Sequence, residues 1–215
     1  LLVEYANPKE FLYATKLRQN SKLLMLATIR FTMDPTCKGP SINLTNSNRT
    51  IGKQGGESGY ELCLGIQQSN IANTTMYSGR HYFEAKIDKL SEEEDVVIGV
   101  ARKSAKLSTT NITEEPFWGY LCLAGRKLGL EADSTEHIKD YGPCCKVNDI
   151  VGILIHFDSK GRCSLSFYVN SKFLGRAFHD IEGPLLPCIA FGTSPHMQVS
   201  LNTAAEIPFE LSNFS

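Results

Sequence analysis

The stretch Val147–Phe178 constrains the fold most, because three strand-like segments follow one another there with two short turns between them. Ile150–Phe157 is apolar on both faces, which is typical of a strand inside a sandwich. In Cys163–Val169 every second residue is apolar, which is the period of a strand with one buried face. Phe173–Phe178 is the third segment. A three-stranded meander can support a hydrophobic face where a lone hairpin cannot, so we expect the rest of the chain to pack around it.

The remaining pattern predicts an all-β chain. Asn7-Pro8-Lys9-Glu10 is typical of a helix start, and this helix would run to about Arg18. No strong helical period follows residue 20, and short strands with turn signals between them favour a two-sheet antiparallel β-sandwich with a short N-terminal helical extension. The further predicted strands are Leu23–Phe31 (ending at Asp34-Pro35), Ser41–Thr45, Arg49–Ile51, Tyr60–Leu64, His81–Ile87, Val96–Ala101, Phe117–Leu123, Leu185–Phe191 and Met197–Leu201.

Composition excludes several classes of partner. The 215-residue chain has a net charge of −1, so it lacks the basic surface that nucleic acids and anionic membranes attract. No apolar run approaches the roughly 18 residues that span a bilayer. The chain begins at Leu1, and we expect a monomeric domain cut from a larger protein.

The seven cysteines are odd in number and form no C-x-x-C spacing, so they support neither a disulfide framework nor a zinc site. Cys63, Cys122, Cys163 and Cys188 have apolar neighbours and are predicted to be buried. We therefore expect a reducing compartment, the cytoplasm or the nucleus, and no cofactor. Five N-x-S/T triplets point the other way; they begin at Asn43, Asn48, Asn73, Asn111 and Asn213.

Three further features receive structural interpretations. The glycine-rich stretch Gly52–Gly59 is predicted to be a mobile loop, because a phosphate-binding loop would need Ser or Thr after Lys53. The acidic run Glu92–Asp95 is predicted to be a solvated hairpin tip, with a docking site for a basic partner as the alternative. Arg102–Pro116 is predicted to be a long polar loop, and His156 a hydrogen-bonded core residue.

Eight segments, in their order and spacing, resemble the SPRY domain family. They are Ser78–Glu84, Ile98–Ala101, Trp118–Tyr120, Tyr141-Gly142, Asp149–Leu154, Leu165–Asn170, Leu174–Phe178 and Gly183–Pro187. The resemblance implies a concanavalin-like sandwich that is not an enzyme and whose loops at one end bind a partner protein or peptide. Such domains often serve as adaptors or target receptors, including in ubiquitin ligases. No SOCS box or RING-like cysteine pattern is present, so any ligase link would lie outside this chain.

The sequence departs from the family pattern at three places. The turn after Val169 is Asn-Ser-Lys rather than Asn-Gly, so its type stays open. His156 stands where the family commonly has an acidic residue. The Val-Trp-Gly that lines the peptide pocket of the SOCS-box members corresponds here to Ala190-Phe191-Gly192. We assign residues 1–33 to the N-terminal extension, 34–205 to the SPRY domain and 206–215 to a C-terminal tail.

The resemblance also implies a binding surface. Alternate loops of the sandwich should converge at one end: the loop between Leu64 and Ser78, Arg102–Phe117 and Gly192–His196. The candidate partner-binding residues offer hydrogen bonds, a charge or apolar contact, and they are Asn70, Ile71, Lys106, Thr109, Thr110, Trp118, Tyr120, Phe191, Thr193 and Ser194. For Trp118, core packing is the alternative.

Two other functions stay open. A glycan-binding lectin on the same sandwich is suggested by the N-x-S/T triplets alone. A jelly-roll glycoside hydrolase is suggested by the E-x-D-x-x-E spacing of Glu131, Asp133 and Glu136. The residues between these carboxylates are not the alternating apolar set of a strand that presents a carboxylate pair, and we expect no catalytic residues.

Overall fold

The computed structural model describes residues 31–55, 59–67, 79–130 and 138–208, and all regular structure there is β except one short 3-10 helix, Ile112–Glu114. The predicted N-terminal helix and nearly all of the strand at Leu23–Phe31 lie outside these residues. The strands are β1 Phe31–Lys38, β2 Ile42–Thr45, β3 Thr50–Lys53, β4 Tyr60–Gln67, β5 Arg80–Lys89, β6 Val96–Ala101, β7 Ser108–Thr109, β8 Phe117–Leu121, β9 Arg126–Gly129, β10 Ile138–Asp140, β11 Ile150–Phe157, β12 Arg162–Val169, β13 Lys172–Glu182, β14 Leu186–Phe191 and β15 Gln198–Asn202.

The strands form two antiparallel sheets, which confirms the predicted sandwich. Sheet A has the order β1-β4-β14-β6-β8-β9-β10, and β7 also pairs with β4. Sheet B has the order β13-β12-β11-β5-β15-β3-β2. Strands that are neighbours in a sheet are mostly distant in sequence, so the sheets must be assembled by long-range pairing.

The meander β11–β12–β13 forms one edge of sheet B. Seven consecutive pairs, from Val151 opposite Val169 to Phe157 opposite Cys163, join β11 to β12. Asn170 and Ser171 connect β12 to β13 with φ values of 51° and 64°. Positive φ at both central residues is what a type I′ hairpin turn requires, and asparagine tolerates it well. The Asn-Ser pair therefore forms the kind of turn that Asn-Gly forms in other sequences.

The principal core lies between the sheets. Ile153, Ile155, Leu165 and Phe167 are fully buried in it, as predicted. The Phe167 ring lies 5.8 Å from the ring of Tyr120 in sheet A. Aromatic rings at such distances add to the stability that their buried area provides.

Sheet A is apolar on its outer face as well. The predicted polar loop Arg102–Pro116 covers this face, with Ala105 and Ile112 buried in a cluster that contains Leu62 and Cys188. The segment also contains β7 and the 3-10 helix. The prediction of a long polar loop therefore holds only in part, because the exposed polar residues of the segment hid the few apolar ones that pack against sheet A.

Among the described residues, a small cluster lies on the outer face of sheet B. Tyr82, Tyr168 and Ala205 form a small buried cluster there, with Leu154 and Ile207 packed against it. The prediction that β11 is apolar and buried on both faces holds only in part, since Leu154 is half-buried.

His156 is also half-buried and lines a surface cavity. Its imidazole makes no hydrogen bond that the described residues show, so the prediction of a hydrogen-bonded core histidine was wrong. The strand pattern could not show that the described residues leave this end of β11 half-exposed.

Pro35 does not end its strand. The strand β1 continues through it to Lys38, with a register shift against β4 between Met33 and Lys38. Because β1 is at the edge of sheet A, the N–H that proline lacks is not needed for pairing. The prediction of a strand end at Asp34-Pro35 was therefore wrong.

Two side chains from outside sheet B donate hydrogen bonds to the backbone of the edge strand β13. The Nζ of Lys127 in β9 donates to the carbonyl oxygen of Ala177 at 2.6 Å. The hydroxyl of Tyr141 donates to the carbonyl oxygen of Gly175. These contacts occupy backbone acceptors that an edge strand otherwise leaves open to another chain.

The cysteines are free thiols, and Cys63, Cys122, Cys163 and Cys188 are buried as predicted. Burial raises the pKa of the Cys63 thiol to about 12, so this group is un-ionised at neutral pH. In the described part of the chain, no three His, Cys, Asp or Glu side chains are placed so that they could hold a metal ion together. No helix of the described residues could cross a membrane.

The core predicts a large effect for one substitution. Phe167→Ala should lower the free energy of unfolding by about 3–5 kcal/mol, because it removes a fully buried ring and leaves a cavity between the sheets. Urea denaturation measures this change. Ser166→Ala, at the half-buried neighbouring position, is the control. Equal stability of Phe167→Ala and the parent chain would contradict this placement.

Candidate functional site

Three of the predicted binding residues are buried in the core. Tyr120 and Phe191 have no exposed surface, and Trp118 is 4% exposed. The indole N–H of Trp118 donates to the carbonyl oxygen of Leu130 at 2.8 Å, and the hydroxyl of Tyr120 donates to the carbonyl oxygen of Pro143. Their polar atoms are therefore engaged inside the protein, and the prediction that these side chains contact a partner was wrong.

The other predicted residues lie in different parts of the chain. Asn70 and Ile71 fall outside the described residues. Lys106 and Thr110 are exposed, and Thr109 is half-buried. Thr193 and Ser194 are half-buried in the loop that follows β14.

Strand register brings part of this set together. Phe191 at the end of β14 is opposite Glu61, and Glu61 is opposite Ser108 in β7. Thr109, which pairs with Tyr60, therefore lies at the same end of sheet A as the loop after Phe191. Lys106 lies farther from this end, and its ammonium is 3.3 Å from a carboxylate oxygen of Glu115.

The acidic turn Ser91–Asp95 is bound to the Gly192 loop, residues Gly192–His196. The Ser91 hydroxyl accepts hydrogen bonds from the backbone N–H groups of Glu93 and Glu94 and donates to the Ser194 hydroxyl at 3.0 Å. The Thr193 hydroxyl donates to the Glu94 carboxylate at 2.6 Å. The turn and the loop thus form one surface, which we call the rim and define as residues 91–95 and 192–196 with Tyr60 and Thr109.

The acidic run is not the uniformly solvated tip that its composition predicted. Glu92 and Glu93 are exposed, Glu94 is half-buried and Asp95 is buried. The Asp95 carboxylate accepts hydrogen bonds from the backbone N–H groups of Leu123 at 2.7 Å and Ala124 at 3.1 Å. Burial raises the pKa of Asp95, and these hydrogen bonds oppose that effect. Only part of the run is therefore available to a partner.

Lys53 lies directly beneath the rim, although Gly52–Gly59 was predicted to be a mobile loop. It is the last residue of β3, and its side chain has no exposed surface. Its Nζ donates to the carbonyl oxygen of Gly192 at 2.6 Å and lies 3.7 Å from a carboxylate oxygen of Glu61. The other Glu61 oxygen accepts the backbone N–H of Ser41 at 2.8 Å. Since β3 belongs to sheet B and Glu61 to sheet A, the ammonium joins the two sheets at this end.

Burial lowers the pKa of the Lys53 ammonium, and the Glu61 carboxylate opposes this effect. A lysine whose pKa is lower in the folded than in the unfolded state binds its proton less readily when folded. The charge therefore costs stability below the folded pKa, and this cost is relieved as pH rises through that value. Stability contributed by this group should increase with pH in the alkaline range.

Gly192 and Gly39 have no Cβ, which allows the carboxylates of Glu94 and Glu61 to approach the backbone closely. A Cβ at Gly192 would lie 2.4 Å from a carboxylate oxygen of Glu94. A Cβ at Gly39 would lie 2.4 Å from a carboxylate oxygen of Glu61. Any larger residue at these positions would displace the groups that hold the rim.

The residues that hold the rim were missed in the sequence. Lys53 could have been found from the alternation of β3, because Ile51 and Lys53 share the inner face and are both fully buried. The glycines after Lys53 obscured this signal. Glu61 and Glu94 carry no local signal, since their partners are distant in sequence. The hydrolase motif Glu131, Asp133 and Glu136 lies outside the described residues.

Comparison with known proteins agrees with the two-sheet fold. The family model of the SPRY domain matches residues 80–204. The crystal structure of the SPRY domain of human HERC1 is 20% identical to this chain, with a TM-score of 0.60 over 79% of this chain and 96% of that one. A second human SPRY domain is 19% identical, with a TM-score of 0.59 over 79% of this chain and 98% of that one. The resemblance inferred from the eight segments is confirmed.

Removing the buried ammonium should destabilise the fold. Lys53→Met leaves the Glu61 carboxylate buried without its cation, and we expect the free energy of unfolding to fall by about 3–5 kcal/mol. Lys53→Met combined with Glu61→Gln should recover much of this loss, because the amide oxygen can still accept the Ser41 N–H. Urea denaturation measures both variants.

The control for this comparison is Lys172→Met, which removes an exposed lysine and should change stability by no more than about 0.5 kcal/mol. A Lys53→Met variant as stable as the parent chain would contradict the role of the ammonium. A double variant no more stable than Lys53→Met would show that the uncompensated carboxylate is not the cause of the loss.

Proposed function

The chain belongs to the SPRY domain family, whose members are protein-interaction modules, and on that premise we propose that it binds an extended segment of a partner protein at the rim. The observation that carries this proposal is the bonding of the acidic turn to the Gly192 loop. Ser91 with Ser194, and Glu94 with Thr193, hold two separate loops in one arrangement. Loops that are already ordered lose less conformational entropy when a partner binds.

The charge of the rim indicates the chemistry of the partner. The rim contains four carboxylates and no lysine or arginine. Two of these, on Glu92 and Glu93, belong to exposed side chains and make no ion pair within the described residues. Thr109 and Thr193 add hydroxyl groups beside them. We therefore propose that the recognised segment carries a basic side chain next to polar residues.

A role as target receptor of a larger, ubiquitin-ligase-like protein stays a prediction about the parent protein. An intracellular location is likewise a proposal, which rests on the free thiols. No observation on the described residues favours the lectin or the glycoside hydrolase, so neither is proposed.

Replacing exposed rim carboxylates should weaken partner binding. After a pull-down with this domain and peptide-array mapping of the captured protein, Glu92→Ser with Glu93→Ser should cost more than about 1 kcal/mol of binding free energy. Calorimetric titration of the mapped peptide measures the loss. Binding by the parent chain should also weaken at high salt, because exposed charges are screened.

Two controls accompany this titration. Thermal melts should show that the double variant is folded, since exposed charges contribute little to stability. Glu206→Ser removes an exposed carboxylate from the segment over the outer face of sheet B and should leave affinity unchanged. Unchanged affinity of a folded rim variant would contradict the proposed site, and a peptide that maps elsewhere would replace it.

A further inference from the structure

A β-bulge interrupts the pairing of β12 with β13. Cys163 is opposite Ile181 and Leu165 is opposite Phe178, so two residues of β13, His179 and Asp180, face the single residue Ser164. Asp180 has a φ of 57°, in the left-handed region that costs energy for a residue other than glycine. Bulges re-aim side chains and are over-represented beside functional sites.

The bulge borders a cavity of about 180 Å³ on the outer face of sheet B. The side chains that line it are polar or charged, with one thiol: His156, Asp158, Arg162, Cys163, Ser164, Arg176, His179 and Asp180. Arg80 flanks it, because Arg80 is opposite His156 in the pairing of β5 with β11 and His156 is opposite Ser164 in the pairing of β11 with β12. Paired residues of neighbouring strands lie on the same face of a sheet.

The carboxylates of the cavity are already engaged. Asp158 accepts the backbone N–H groups of Lys160 at 2.8 Å and Arg162 at 2.9 Å. The carboxylate of Asp180 lies 2.7 Å from Nδ1 of His179. Arg162 is engaged as well, since its guanidinium lies 3.3 Å from the Glu182 carboxylate.

Two guanidinium groups beside the cavity are not neutralised in this way. Arg80 and Arg176 are exposed, and neither forms an ion pair in residues 31–55, 59–67, 79–130 and 138–208. They affect the imidazole between them. The pKa of His156 is lowered by burial and then by the charges of Arg80 and Arg176. Arg80 and Arg176 therefore bring two guanidinium groups to the side of the cavity where His156 lies.

We propose that this cavity binds a phosphate monoester carried by a protein partner, held by the guanidinium groups of Arg80 and Arg176 and by the Ser164 hydroxyl. Guanidinium groups bind phosphate oxygens through paired, charge-assisted hydrogen bonds. A phosphate monoester near neutral pH carries up to two negative charges, so it can pair with both guanidinium groups, whereas a carboxylate carries only one. The Ser164 hydroxyl, which donates to the carbonyl oxygen of His156 at a long 3.4 Å, can turn toward a phosphate oxygen.

This site is separate from the rim. Arg80 is the first residue of β5, and Lys89, its last residue, pairs with Gln198 just after the Gly192 loop. A strand of ten residues is about 30 Å long, so the two surfaces lie at opposite ends of β5. Loss of binding at one surface can therefore be told apart from loss at the other.

The test is a titration of the whole chain with inorganic phosphate at constant ionic strength, followed by amide resonances in NMR spectra. Phosphate should produce saturable shifts at Ser164, His179 and Asp180. Arg176→Gln should weaken this binding about tenfold, because one charge-assisted hydrogen-bonding group is lost. Arg49→Gln removes an exposed guanidinium from the β2–β3 turn, changes net charge equally and should leave the affinity unchanged.

Further arms distinguish the source of the phosphate. A short peptide containing phosphoserine should bind more tightly than inorganic phosphate, and its serine counterpart should not bind. Equal affinities for the phosphopeptide and inorganic phosphate would overturn the protein source. Shifts that do not saturate, or that Arg49→Gln weakens as much as Arg176→Gln, would overturn the site itself. If Arg176→Gln does not fold, the affinity of Arg80→Gln for phosphate tests the same site, and it should also be lower than that of the parent chain.

Discussion

The burial of one ammonium group between the two sheets is the interaction on which the rim depends. An ammonium removed from water must find anionic or carbonyl partners nearby, and Lys53 finds them in Glu61 and the carbonyl group of Gly192. Glu61 belongs to the sheet opposite to the one that contains Lys53, and Gly192 directly follows a strand of that opposite sheet. The contacts that satisfy this charge therefore fix two things: the distance between the sheets at this end, and the position of the first residue of the Gly192 loop.

A second constraint comes from the composition of sheet A, which is apolar on both faces. Its outer face needs a cover, and the segment Arg102–Pro116 provides it through Ala105 and Ile112. Most of this long segment, which connects two neighbouring strands, is thus committed to packing, and Thr109 is its contribution to the rim. The two surfaces that we propose for recognition lie where the chain turns at a sheet end and where a bulge interrupts the pairing.

Much of the fold could be predicted from the sequence, because strand period and turn residues are local signals. The meander from Ile150 to Phe178 is of this kind. The site could not be predicted to the same degree. In β8, all five residues from Phe117 to Leu121 are buried, so the strand has no polar and apolar alternation. Without that alternation, the sequence could not show whether its aromatic side chains face the core or a partner. The other site residues are brought together by strand register. Ser164 is opposite both His179 and Asp180, and this register depends on two strands, so neither strand's sequence shows it alone.

The contacts of Lys127 and Tyr141 with the carbonyl oxygens of β13 have a consequence for how this domain behaves beside copies of itself. A strand of eleven residues at a sheet margin is a template onto which a neighbouring molecule could add its own strand, and repetition of that step builds fibrils. With acceptors already occupied in the middle of β13, an incoming strand would have to displace two internal hydrogen bonds before gaining its own. The sandwich is in this way protected against open-ended self-assembly at its longest margin.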